Sequence, residues 1–152
     1  MGCDIHLLIQ ARRDGAWEDV VLNLEEEVEH DEYGDSFWEP RSYATFAVLS
    51  DVRNDDDWHI TPISTPRGLP DDFECDDYRI ADEVPGSGHG RLIGDVERNG
   101  KDLGEHSHSW VTLAELKAIP PEQRWALPEA WIPELEKFGA PDDVRLVFGF
   151  DS

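Results

Sequence analysis

Two stretches, one near each end of the chain, carry an apolar residue at every second position, and they leave few folds open. In residues 4–11, Ile5, Leu7, Ile9 and Ala11 fall on one side and Asp4, His6, Leu8 and Gln10 on the other. A period of two is what a pleated strand with one face on a core requires. Val144, Leu146, Phe148 and Phe150 repeat the pattern against Arg145, Val147, Gly149 and Asp151. The expected architecture is α+β: a small antiparallel or mixed sheet that includes both terminal strands, packed with two or three helices and joined by long acidic loops.

Local signals fill in the rest. Asp14-Gly15 is a turn pair, and 17–24 resumes an extended pattern, so the first unit reads as a β-hairpin. The acidic stretch 25–39 reads as a loop. After Pro40, which suits a helix entry, Tyr43, Phe46, Ala47 and Ser50 recur at helical spacing, predicting a short helix to about Arg53. Residues 54–104 are rich in Asp, Pro and Gly and read as irregular, a setting in which binding or lid loops are common. Thr112-Leu113-Ala114-Glu115 matches a capping box, so a helix should start there and stop before Pro120-Pro121. A further helix is expected near 128–138, ending at Gly139, with Pro133 kinking or dividing it. Neither an internal repeat nor a linker divides the sequence, so residues 1–152 read as one domain.

Charge narrows the function classes. The 152 residues carry 35 Asp and Glu against 13 Lys and Arg, a formal net charge of −22. Such a field repels extended nucleic acid and anionic membrane surfaces; nucleic acid could be held only at a local cationic or metal-lined pocket, and no membrane partner is expected. The acidic runs at Glu25-Glu26-Glu27-Val28-Glu29, Asp55-Asp56-Asp57 and 71–77 read as solvated surface, or as a face that imitates nucleic acid and occupies a basic partner. Six Trp and six Phe spread along the chain supply a core and argue against disorder. No apolar run approaches the roughly 18 residues of a membrane span. The start, Met1-Gly2-Cys3-Asp4-Ile5-His6, lacks a signal peptide's pattern and has His6 where myristoylation needs Ser or Thr. With only Cys3 and Cys75, a reducing cytoplasm is the expected setting.

Asp4 and His6 lie two apart on a predicted strand and leave the same face. His106 and His108 have the same spacing in Glu105-His106-Ser107-His108-Ser109-Trp110, where the chain is extended. One carboxylate with three imidazoles is a sensible ligand set for Zn²⁺, Mn²⁺ or Fe²⁺, with an open position for an activated water. Asp4, His6, His106 and His108 are therefore the candidate metal ligands, and His106 and His108 also the candidate catalytic residues. Their alternative reading is a sheet histidine at position 6 and loop-ordering histidines at 106 and 108. Arg41 before the first helix, Arg53 at its end and Arg67 in Pro66-Arg67-Gly68-Leu69-Pro70 could hold phosphate oxygens, or could each pair with a carboxylate. Tyr43 and Trp110 could stack on a base, or belong to the core. Candidate substrate contacts are thus Arg41, Tyr43, Arg67 and Trp110. Gly86-Ser87-Gly88-His89-Gly90-Arg91 lacks the lysine and spacing of a P-loop and reads as a flexible loop. Cys3 shares the parity of Ile5 and reads as core packing, with a Cys-His nucleophile as the minor alternative.

An Asp-x-His early and a His-x-His late resemble the end motifs of calcineurin-like metallophosphoesterases. Gly94-Asp95 echoes one internal motif of that family, the Gly-Asn-His motif is absent, and Asp-x-His here opens a strand; no residue is carried over. Met1 to His6, Arg41-Ser42-Tyr43-Ala44-Thr45-Phe46, Arg67-Gly68-Leu69-Pro70, His106 to Trp110 and the ending 144–151 together resemble an uncharacterised family of small proteins of tailed bacteriophages and bacteria. That resemblance implies a phage or prophage context in the cytoplasm of a bacterial host, and no particular activity. The expectation is a metal-dependent hydrolase, phosphoesterase-like, acting on a small phosphorylated or nucleotide substrate, as in counter-defence against a nucleotide signal. The alternative is a non-catalytic protein that sequesters a nucleotide or binds a basic host protein through its acidic surface.

Overall fold

The structure, a computed structural model, describes residues 2–20, 38, 40–73 and 106–151. Strand β1 (Asp4–Arg13) turns at Asp14-Gly15, both with positive φ, into β2 (Ala16–Asp19). Helix α1 (Tyr43–Ser50) follows, then a 3₁₀ turn at Asp56–Trp58. Strand β3 (His106–Thr112) runs directly into α2 (Leu113–Lys117), and a 3₁₀ turn (Pro121–Ala126) leads to α3 (Trp131–Leu135) and the last strand, β4 (Val144–Asp151). The four strands form one antiparallel sheet in the order β2-β1-β4-β3. The fold is therefore α+β with both terminal strands in the sheet, and they are its central pair. Among the described residues no helix is long and apolar enough to cross a membrane. The expected acidic loop 25–39 apart from Trp38, Cys75, and the segments 86–91 and 94–95 lie outside the described residues.

The register explains the core. Ile5, Leu7, Ile9 and Ala11 stand opposite Phe150, Phe148, Leu146 and Val144, so the two alternating patterns coincide on one face. All eight are buried, and helices α1, α2 and α3 pack there through Phe46, Leu49, Leu116, Trp131 and Leu135. Phe46 meets Phe150 edge-on at 5.1 Å, and Trp131 stacks on Trp38 at 5.7 Å, arrangements that add to simple burial. The opposite face is not simply solvated. Leu8 and Val147 are buried there, and so is Arg145, which lies under the Trp17 ring at 4.0 Å and donates to Gln10 and Asp72.

Three boundaries differ from the sequence expectation. Helix α1 stops at Ser50, not near Arg53, because Asp51 takes the left-handed conformation (φ 62°) and its N–H closes on Ala47. Every residue from Ala44 to Ser50 is buried, so the helix has no solvent face and its apolar spacing carried little directional information. Helix α3 covers only residues 131–135 of the expected 128–138. Pro133 is tolerated in its first turn, where an N–H would lack a helical partner, and bonds from Lys137 to Glu134 and Phe138 to Leu135 tighten the chain beyond it. The capping box forms as expected: Thr112 Oγ1 accepts from the Glu115 N–H, and the Glu115 carboxylate accepts from the Thr112 N–H.

The third difference falls in β3. His106 pairs with Phe150 and Ser109 with Phe148, so Ser107 and His108 together stand opposite Gly149 and β3 carries one extra residue. Ser107 carries the bulge at φ 57°. The insertion breaks the alternation on which the same-face pairing of His106 and His108 rests.

Candidate functional site

The start of β1, the end of β4 and the two ends of α1 meet at one edge of the fold. Tyr43, the first residue of α1, accepts a hydrogen bond at its hydroxyl from the Cys3 N–H (3.1 Å) and packs its ring on Phe46. Just before it, Arg41 places Nε 2.8 Å from the Asp4 carboxylate. Its guanidinium lies so close over Gly2 that a Cβ there would stand 2.7 Å from Nη2. At the other end of α1, the left-handed residues Asp51 and Arg53 reverse the chain. Arg53 thereby returns to lie over the Tyr43 ring at 5.6 Å, a cation–π distance. Its charge also acts on the buried Cys3 thiol, opposing the rise in pKa that burial causes. Among the described residues no carboxylate pairs with Arg53, although the chain carries a charge of −22.

Beside this group, His6 Nε2 is 2.6 Å from Asp151 Oδ2, with the two side chains 29% and 41% exposed. The partners come from adjacent central strands, and Asp151 stands opposite Asp4 in the register. A carboxylate so placed fixes the ring's orientation and favours one tautomer, the arrangement by which a histidine is readied to give or take a proton. Cys3 is 1% exposed, and burial pushes its thiol pKa up against the opposing influence of Arg53. A buried thiol with a raised pKa is a poor nucleophile, so Cys3 belongs to the core cluster.

The expected metal set is not gathered. Asp4 faces Arg41, His6 faces Asp151, and His106 stacks on Phe150 with Nδ1 2.9 Å from Ser107 Oγ. The bulge between His106 and His108 interrupts the alternation that a shared face assumes. Among the described residues no group of three or more His, Cys, Asp and Glu side chains is placed to hold a metal ion.

The expected substrate contacts fall into two groups. Arg41 and Tyr43 belong to the edge just described. Arg67 and Trp110 belong to a clamp on β3: the Arg67 guanidinium lies over the Trp110 ring at 4.7 Å, donates to the Trp110 carbonyl and makes a two-pronged bond to Glu115. The Arg67 N–H donates to Ser109 Oγ and the Gly68 N–H to the His108 carbonyl, so the segment is tied down along the strand. The Arg67 hydrogen bonds are the largest cause holding the Glu115 carboxyl below its usual range. Arg67 thus takes the carboxylate-paired role that its residue type also allowed, and it braces the strand-to-helix junction.

Two residues complete the edge: Asp151, which the sequence does not single out, and Arg53, a possible phosphate contact by residue type that the substrate set omits. Asp151 is 145 positions from His6, and only the sheet register brings them together. Arg53 is visible as one of few cations, but its position depends on the chain reversal after α1. No family model, no curated protein and no solved structure matches the chain.

Proposed function

We propose that this protein binds a small phosphate-bearing or nucleotide ligand at the edge formed by Arg41, Tyr43, Arg53, His6 and Asp151. The observation that carries the reading is Arg53, a guanidinium with no carboxylate partner among the described residues, held over Tyr43 beside Arg41. Arg41 is paired with Asp4, which leaves Arg53 as the guanidinium at this edge that no described carboxylate holds. Guanidinium suits phosphate oxygens because its N–H groups form a planar fork. The Arg41–Asp4 pair is about half exposed, so it holds Arg41 weakly and lets it exchange onto a ligand. Sequestration of a nucleotide, in the phage context that the sequence resemblance implies, is the simplest activity for such a site. A hydrolytic version is favoured by one observation, the short His6–Asp151 bond, which would supply proton transfer at a phosphoester. No step is assigned to a metal.

The test is a thermal-shift and calorimetric screen of linear and cyclic nucleotides, on wild type and on Arg53→Ala. A ligand at about 100 times its Kd stabilises by about 2.7 kcal/mol, or roughly 5–10 °C for a chain of this size. Arg53→Ala should weaken that binding about tenfold or more. His6→Ala should weaken binding less than Arg53→Ala does while abolishing any turnover, and turnover is read with and without added Zn²⁺, Mn²⁺ or Fe²⁺. No shift with any nucleotide, or equal binding by Arg53→Ala, would sink the proposal.

A further inference from the structure

The 3₁₀ turns Asp56–Trp58 and Pro121–Ala126 are joined into one surface. Gln123 binds the backbone of Thr61 at both ends of its amide, accepting from the Thr61 N–H at 2.8 Å and donating to its carbonyl at 3.1 Å. Trp58 and Trp125 then meet edge to face, with ring centroids 6.3 Å apart and planes at 81°. Trp125 is 58% exposed, the large hydrophobic side chain left most open among the described residues. It borders an open groove of about 590 Å³ whose other lining residues include Leu127, Pro128, Glu129 and Ile132. The exposed indole is not isolated: it is held by Trp58 and continues into the groove lined by Leu127, Pro128 and Ile132.

What surrounds it defines its partner. Asp55, Asp56 and Asp57 lead straight into Trp58, and Glu122 and Glu129 flank Trp125; all five are exposed. Arg124 lines the same groove, but its guanidinium is turned onto the carbonyls of Lys117 and Ile119. The face of an indole attracts a cation, Arg most often, and carboxylates around it add charge complementarity and long-range steering. We infer that the Trp58–Trp125 surface is a docking site for an arginine- or lysine-rich segment of another protein, with a side-chain cation on Trp125 and its neighbours on Asp56, Asp57, Glu122 and Glu129. This surface shares no residue with the proposed ligand edge, so either can fail without the other.

The probe is a flexible Gly-Ser peptide bearing spaced arginines, titrated calorimetrically into the full chain, with a citrulline version as the uncharged control. Wild type should bind the arginine peptide with an affinity that falls as salt rises, and should bind the citrulline peptide far less well. Trp125→Ala, at an exposed position and checked by thermal unfolding, should weaken binding about tenfold. Asp56→Asn/Asp57→Asn should weaken it by a similar factor. Asp14→Asn/Glu18→Gln removes the same charge from the exposed β1–β2 hairpin and should change it much less. The inference is overturned if the arginine peptide does not bind, if Trp125→Ala binds like wild type, if citrulline binds equally well, or if the hairpin variant loses as much as Asp56→Asn/Asp57→Asn.

Discussion

Glu115 serves two structures at once, and a short series of variants can separate them. Its carboxylate closes the capping box on Thr112 and receives the two-pronged bond of Arg67. Glutamine keeps a capping group at this position but loses the charge, whereas alanine loses both. The Arg67 and Glu115 side chains are 25% and 31% exposed, so the ion pair is partly screened and contributes about 1 kcal/mol. A lost cap costs about 1 kcal/mol more. Glu115→Gln should therefore destabilise by about 1 kcal/mol and Glu115→Ala by about 2, lowering Tm by about 2–4 °C per kcal/mol. Arg67→Ala should cost about 1–1.5 kcal/mol, because the contact with Trp110 goes as well. The Glu115→Gln/Arg67→Ala double variant should fall short of the sum by about 1 kcal/mol in urea unfolding. The pH dependence has a definite sign. The folded-state pKa of Glu115 lies below its ordinary 4.5, so the stabilisation is complete above pH 4.5 and is lost as pH falls through the folded value. Wild type and Glu115→Gln should converge in acid. Additive effects within about 0.3 kcal/mol, or a gap that persists in acid, would refute the clamp. Unchanged nucleotide binding by Arg67→Ala would in turn place Arg67 outside the ligand edge.

Two further outcomes follow from burial. Trp131 is fully buried against Trp38, so Trp131→Ala should cost about 3–5 kcal/mol in denaturant unfolding, and a loss under 1 kcal/mol would contradict the packing described. In a Cys75→Ser background, Cys3 should resist iodoacetamide at neutral pH and react once the chain is unfolded, because its thiol is both buried and raised in pKa; rapid labelling of the native protein would argue for an accessible thiolate.

The legible parts of the fold were those written in short-range pattern. The alternation at 4–11 and 144–151 specified two strands and their buried faces, and Thr112-x-x-Glu115 specified a helix start to the residue. What stayed hidden depended on tertiary register or on backbone twists that no glycine marks. Asp51, Arg53 and Ser107 take positive φ without a Gly or Asn to announce it, so neither the early end of α1 nor the bulge in β3 shows in the sequence. The candidate site suffered accordingly. Asp4, His6, Arg41 and Tyr43 were recognisable by residue type and do lie at one edge, but the histidine pairing at 106 and 108 assumed an uninterrupted strand. The partner of His6 is set by a register between strands at opposite ends of the sequence, which no local window contains.

Because β1 and β4 are neighbours at the centre of the sheet, its main ladder joins the first and last of the four described strands. That ladder pairs residues far apart in sequence, which makes its formation slow relative to the local helices and the β1–β2 hairpin. Until β4 emerges, Ile5, Leu7 and Ile9 wait without the strand that completes their face, a period of exposure in which a nascent chain is prone to association. Loss of the last eight residues of the sheet would not trim an edge; it would part β3 from the hairpin and leave the proposed ligand edge without Asp151.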